Sequence, residues 1–287
     1  MNHKQQPHSV DVRPSPIAGT WYPGTAAALK ESIDSALNDT GRDKLRGDVV
    51  ALIVPHAGHR YSGRVAAAAY NCVRGDHLDL VIIVSPMHRP YRSPILTSGH
   101  AAFGTPLGSV PIDTHALTVF NASLDSSLGT EAFPVRNDQE HSLEIQLPFL
   151  QRALGAPFQL LPIMLNETRL TRIEAIGHAL AATALERNAL LVASSDLSHF
   201  HPQEIARQLD REMLARITAL QPDRVLSAER EGVGFACGRA AIAAVMIAAQ
   251  RLGGNCVKLL SYATSGDITG NADSVVGYGS AVILRKA

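Results

Sequence analysis

The chain has 287 residues, which fits one large α/β domain or two small ones. Apolar residues make up 46% and charged residues 18%, so a core can form and disorder is excluded on composition; aromatics are only 5%, which leaves the packing to aliphatic side chains. Lys+Arg and Asp+Glu both number 26, a balance that lacks the basic excess of nucleic-acid binders and of polybasic membrane-surface proteins.

The polar, Pro-rich opening MNHKQQPHSVDVRPSP has no apolar signal-peptide core and is expected to be a flexible leader over residues 1–12, with one α/β domain over 13–287. After the turn-rich AGTWYPG, Leu29, Ile33 and Leu37 recur at helical spacing between Thr25 as N-cap and Gly41 as stop. DVVALIVPHAG is a continuous apolar run ended by Pro and Gly, the pattern of a strand buried on both faces. GRVAAAAYNCVRG reads as a small-residue helix, and LDLVIIVSPMH repeats the sequence of apolar strand, Pro and His. RSPILTSG, GSVPID and EAFPVRND hold short strand candidates. SLEIQLPFLQRAL reads as a helix with Leu143, Leu147, Leu150 and Leu154 on one stripe.

FQLLPIML is then a strand, TRLTRIEAIGHALAATALER a helix, and NALLVASSDLSH a strand that runs into a His-bearing loop. PQEIARQLDREMLARITAL and PDRVLSAEREG are helices, the second opened by Pro222. CGRAAIAAVMIAAQRLGG is a buried helix stopped at Gly253 and Gly254, and NCVKLLSYATSG and SVVGYGSAVILRK close the chain as strands. Strands alternating with helices predict a single wound α/β domain with a mostly parallel central sheet flanked by helices. The longest apolar runs are too short to span a bilayer. Three cysteines at irregular spacing (Cys72, Cys237 and Cys256) point to a reducing compartment, the cytoplasm, and no disulfide framework.

Three polar clusters end apolar strands: His56 after ALIV, His88 after VIIV, and Ser194 to Asp196 with His199 after LLVA. In a wound sheet the carboxyl ends of the strands form the ligand rim, so parallel strands would face all three into one crevice. An isolated histidine is usually structural; three in one topological position point to a site. Cys237 precedes a helix, where the dipole favours a thiolate, and with His56 and His88 it makes an adequate set of ligands for one metal ion. The bland alternative for Cys237 is packing. His141 and Glu144, three apart, could orient a metal-bound imidazole, or simply mark an acidic helix start. His199 suits a general acid or base. There is no P-loop, GxGxxG, HExxH, CxxC or G-x-S-x-G elbow.

AGTWYPG, VPHAGHRYSGRVAAAAY, SPMH, EHSLEIQLPF, SSDLSHF and ACGR, spread in order from about residue 18 to residue 240, resemble the Memo family, called AmmeMemoRadiSam system protein B in prokaryotes. That resemblance implies the fold of class III extradiol dioxygenases. It implies His56 and His88 as metal ligands, with Cys237 where those enzymes place a glutamate. It also implies His199 as acid/base with Asp196 positioning it, and Trp21 bordering the pocket. A thiolate in place of a carboxylate softens such a site. The resemblance implies a mononuclear Fe(II) centre, with Cu or Zn as alternatives, and redox or dioxygenase-like chemistry on a small-molecule substrate. It also leaves open a peptide- or anion-binding adaptor without catalysis and a zinc hydrolase. A pathway link to a radical SAM protein and an AMMECR1-like protein is implied as well, with no nucleic acid and no membrane as partners.

Overall fold

In the computed structural model of the chain, the structure describes residues 11–41, 45–185 and 187–287. Strand β1 (Val12–Arg13) precedes helix α1 (Ala26–Asp39), β2 (Asp48–Val54), α2 (His59–Tyr70) and β3 (Leu80–Pro86). The middle adds β4 (Ile95–Ser98), β5 (Ala102–Thr105), β6 (Gly108–Pro111), α3 (Thr114–Leu128), β7 (Phe133–Val135) and α4 (Leu147–Ala153). Then come β8 (Gln159–Leu165), α5 (Leu170–Leu185), β9 (Ala189–Ser194), β10 (His199–His201), α6 (Gln203–Thr218) and α7 (Pro222–Ser227). The chain finishes with α8 (Arg239–Arg251), β11 (Cys256–Thr264), α9 (Ser265–Thr269) and β12 (Val275–Arg285).

Alternation inside the apolar runs explains the layers. Leu80, Ile82 and Val84 of β3, Ala51 and Ile53 of β2 and Leu191 and Ala193 of β9 pack into one core, beneath α3, α5 and α8. Their neighbours Val81, Ile83, Leu52, Val54, Leu190 and Val192 pack into a second core, beneath α1, α2 and α4. Successive strand residues point to opposite faces, so a strand covered on both sides must be apolar throughout. Helix α1 contributes Leu29, Ile33 and Leu37, all fully buried, each side chain contributing about 1.5–3 kcal/mol. The Thr25 hydroxyl caps the Ala28 amide as expected.

The strands β2, β9, β3 and β8 lie side by side and parallel, with Val54 beside Ser194 and Val84 beside Ala193. Outside this core the sheet is mixed, and the expectation of a mostly parallel sheet is corrected. β12 runs antiparallel to β2, β11 and β10, and β4 runs antiparallel to β8. For β11 and β12 the cause is the connection: residues 265–274, which include α9, fall short of the crossover of about a dozen residues that a parallel pair needs. A small sheet in the order β1-β5-β6 stands apart.

Two middle elements differ from expectation. Helix α3 was not predicted, although Asp113 caps the Ala116 amide, Ala116, Phe120 and Leu124 face the core, and Gly129 ends it in the left-handed conformation at φ 62. The helix expected over SLEIQLPFLQRAL begins only at Leu147, after a 3-10 turn at Glu144–Gln146. Residues 1–10, most of the leader expected over 1–12, lie outside the described residues. Asp11 accepts the Ala101 amide at 2.8 Å, and Val12 and Arg13 pair with β5. No helix among the described residues is long and apolar enough to cross a membrane.

Candidate metal centre

His56 stands two residues past β2 and His88 two past β3, and β9 delivers Ser194 between them in the sheet order. Parallel neighbours therefore bring the three strand-end clusters to one rim. Cys237 arrives from the turn before α8. A Cβ on Gly238 would lie 2.4 Å from the Ser194 carbonyl oxygen and 2.7 Å from the Ser195 Cβ, so only glycine lets the chain press against the end of β9 there. The Gly238 amide donates to Ser195 Oγ at 2.9 Å and the Cys237 amide to the Asp196 carbonyl at 3.2 Å. This seats Cys237 Sγ 3.1 Å from His56 Nε2.

Hydrogen-bond bookkeeping fixes which ring nitrogen of each histidine is available. Ser194 Oγ donates its proton to the Ser142 carbonyl at 2.5 Å, and Gln146 Nε2 donates to Ser194 Oγ at 2.8 Å. With its proton spent, Ser194 Oγ can only accept from His56 Nδ1, 3.1 Å away. Glu140 Oε1 accepts from His88 Nδ1 at 2.9 Å, and Glu140 Oε2 accepts the His88 amide at 2.7 Å. Both imidazoles are thereby held with Nδ1 protonated, which leaves Nε2 as the nitrogen that can ligate; in His56 it faces the Cys237 sulfur. One ligand atom each from His56, His88 and Cys237 lie within 4.8 Å of one another, and donor atoms sharing an ion sit roughly 3–4 Å apart. The donor set thus fits a single transition-metal ion. A second group, His88, Glu140 and His141, shares His88 but has Glu140 already engaged by it.

The electrostatics are those of a site that expects a cation. Burial, reinforced by His141 and His88, pushes His56 well below its ordinary pKa, so it is neutral and ready to ligate. Burial also opposes charge on His88, but the Glu140 carboxylate outweighs it and raises the imidazole. Glu140 is likewise buried, yet the His88 side chain and the His88 and Ser142 amides hold it well below the usual carboxylate range. The Cys237 thiol goes up rather than down: burial and the nearby Asp196 override the helix end expected to favour a thiolate. Burial and Asp196 therefore keep Cys237 as the thiol near neutral pH.

The remaining predicted residues divide. His141 stacks on His88 with ring centroids 4.8 Å apart and meets the His56 ring edge-on at 5.4 Å, and Trp21 lies over His141 at 4.1 Å. Burial lowers the His141 pKa to about 4. His199, on β10 opposite Val276, is close enough to His56 and His88 for their charges to interact. Its Nδ1 is sealed from solvent and meets no hydrogen-bond partner among the described residues. Asp196, expected to position His199, instead accepts the His56 amide at 2.7 Å and the Ala57 amide at 3.3 Å, and burial raises it to about 7. The loop before His199 is held by another carboxylate, Asp210, which accepts the Ser198 amide at 2.8 Å.

Glu144 is not in the pocket. It is fully buried among Arg13, Tyr22 and Ser15, with Arg13 Nη1 at 2.5 Å and the Tyr22 hydroxyl at 2.7 Å. The reason is local: the helical spacing that would pair it with His141 does not apply, since both precede the helix. Glu140 does the work assigned to Glu144. Glu140→Gln, which leaves one of its donors without a carboxylate partner, is expected to weaken zinc affinity about 10–100-fold. Competition against a chromophoric chelator measures this; an unchanged affinity would make Glu140 a loop residue only.

Two oriented histidines and a cysteine at the carboxyl ends of parallel strands make this an α/β protein with a candidate site at the rim of its sheet. The family model described as Memo-like protein matches residues 13–282. A MEMO1 family protein of Nitrosopumilus maritimus is 35% identical over 273 residues, covering 94% of this chain and 98% of the relative. MEMO1 family proteins of Methanopyrus kandleri (33% over 284 residues; 94% and 98%) and Thermoplasma volcanium (34% over 284 residues; 96% and 99%) are similarly related. The chain belongs to the Memo family.

Proposed function

We propose that His56, His88 and Cys237 hold one redox-active metal ion, Fe(II) in the first instance, and that the protein uses it to oxidise a small substrate. The observation that carries this is the pair of Nδ1 locks, which leave Nε2 of each imidazole to ligate, with one ligand atom each of His56, His88 and Cys237 within 4.8 Å of one another. A bound Fe(II) or copper ion would supply electron exchange with dioxygen, and a thiolate ligand favours soft or redox-active ions over Mg2+ or Ca2+.

The chain's own groups have separate tasks in this reading. Asp196 pins the turn that carries His56. Glu140 orients His88. His199, whose pKa burial lowers, stays neutral near pH 7 and stands near His88, placed to exchange a proton with a substrate. Trp21 and His141 close one side against water. A shared pathway with a radical SAM protein and an AMMECR1-like protein belongs to the same proposal and rests on the family alone.

The test is elemental analysis of protein purified without chelator or nickel, followed by oxygen uptake with a panel of phenols and thiols. About one Fe or Cu per chain is expected, with uptake stimulated by at least one class. Full loading with no uptake across the panel would overturn the redox role, and zinc in place of Fe or Cu would favour hydrolysis through a metal-bound water.

A further inference from the structure

A cavity of about 220 Å³ opens beside the centre, with His88 and Cys237 on one side and Asn166, Glu167, Thr168 and Arg239 on the other. It is smaller than the ~300–1,000 Å³ of pockets that take drug-sized ligands. At about 30 Å³ per water it has room for roughly seven waters' worth of ligand.

Its charged groups leave a cation, not an anion, facing the space. Glu167 is the one carboxylate lining it, and its oxygens are already taken: the Thr168 and Arg169 amides donate to Oε1 at 3.0 and 2.9 Å, and Arg169 Nη2 donates to Oε2 at 2.8 Å. Arg172 completes the enclosure at 2.9 Å. Two guanidinium groups on one carboxylate leave that part of the wall with net positive charge. Asn166 Nδ2 gives a proton to the Arg89 carbonyl at 3.0 Å, which fixes its amide and leaves its second N–H and its Oδ1. Arg239 is held by Glu229 through Nη2 at 2.6 Å, which commits one edge of a five-donor fork. With the Glu167 carboxylate already neutralised and the Arg239 fork partly open, an anion matches this wall better than a cation.

We propose that this cavity is the substrate pocket and that it takes a small carboxylate anion, anchored by the Arg239 guanidinium, with its carbon end toward His88 and Cys237. The proposal rests on the reading of that side as the reacting side, but anion binding itself requires no metal. Glu229 competes with the ligand for Arg239, so removing its charge strengthens binding.

Butyrate and butyramide, nearly equal in shape and different in charge, separate these effects in ligand-observed NMR titrations of the metal-free full chain. Butyrate is expected to bind about tenfold or more tighter than butyramide, the scale of a charged hydrogen bond. Arg239→Gln removes the difference. Glu229→Gln strengthens butyrate binding about threefold or more and leaves butyramide unchanged. His56→Ala, which removes a proposed metal ligand, keeps the preference, while the zinc affinity of the same variant, measured separately, reports failure of the metal reading on its own. Equal affinities for the two probes, an unchanged preference in Arg239→Gln, or weaker or unchanged butyrate binding in Glu229→Gln would overturn the proposal.

Discussion

His56→Ala is expected to lower the affinity of the chain for one zinc ion by more than about a hundredfold. Structural zinc sites with four ligands bind with about 10–16 kcal/mol, roughly 3 kcal/mol per ligand, and 1.4 kcal/mol is a factor of ten. Zinc serves as the probe because it has no redox chemistry and reports the ligands alone. Cys237→Ser should be similarly severe, since the hydroxyl that replaces Sγ is a far poorer ligand and does not ionise near neutral pH. The affinity of the unsubstituted chain should also climb with pH. Burial holds the Cys237 thiol protonated, so binding must release that proton, and apparent affinity should rise about tenfold per pH unit below the thiol pKa. His88, raised by Glu140, adds a second proton at the acid end and steepens the slope there. Cys237→Ser should lose the tenfold-per-unit component. Affinity independent of pH across the neutral range would show that Cys237 does not ligate.

Arg13→Ala is expected to destabilise the fold by about 3–5 kcal/mol, the usual result of removing one partner from a buried ion pair. The Arg13 guanidinium is 1% exposed and donates through Nε and Nη2 to the Asp138 carboxylate at 3.0 and 2.7 Å. It donates through Nη1 to Glu144 at 2.5 Å and through Nη2 to the Glu140 carbonyl at 2.8 Å, and it lies over the Phe103 ring. Alanine would leave two buried carboxylates without a cation. The same contacts tie the start of the chain to the loop that orients His88, so the damage should reach the centre. Arg13→Lys retains charge but not the planar fork, and should weaken zinc binding by up to about tenfold, toward the lower end of the effect of losing Glu140 itself. Urea denaturation of the metal-free chain measures the first effect. A loss under about 1 kcal/mol would mean that the network is solvated and contributes little.

The strand ends were legible because a strand buried on both faces has to be apolar without interruption, and ALIV, VIIV and LLVA are the three that lie together as β2, β3 and β9. Their histidines then followed from the parallel direction alone. What local pattern does not encode is strand order, so the antiparallel β12 beside β2 was missed and the sheet was expected to be more parallel than it is. Helix α3 was overlooked despite the Asp113 cap, the Ala116, Phe120 and Leu124 stripe and Gly129. The choice of Glu144 over Glu140 failed for a different reason. Helical spacing was applied to EHSLEIQ, whose residues are loop and 3-10 turn, and there only tertiary contact decides which carboxylate meets His88. Ser194, Gln146 and Asp210 carry no signature of their own; their roles come from partners far away in the chain.

X-ray absorption at the zinc edge of the loaded chain is the most direct probe of the proposed centre. One sulfur near ~2.3 Å with two imidazole nitrogens near ~2.0–2.1 Å is the expected shell, the sulfur vanishing in Cys237→Ser. A shell of nitrogen and oxygen only, unchanged by that substitution, would contradict the convergence of His56, His88 and Cys237 on one ion.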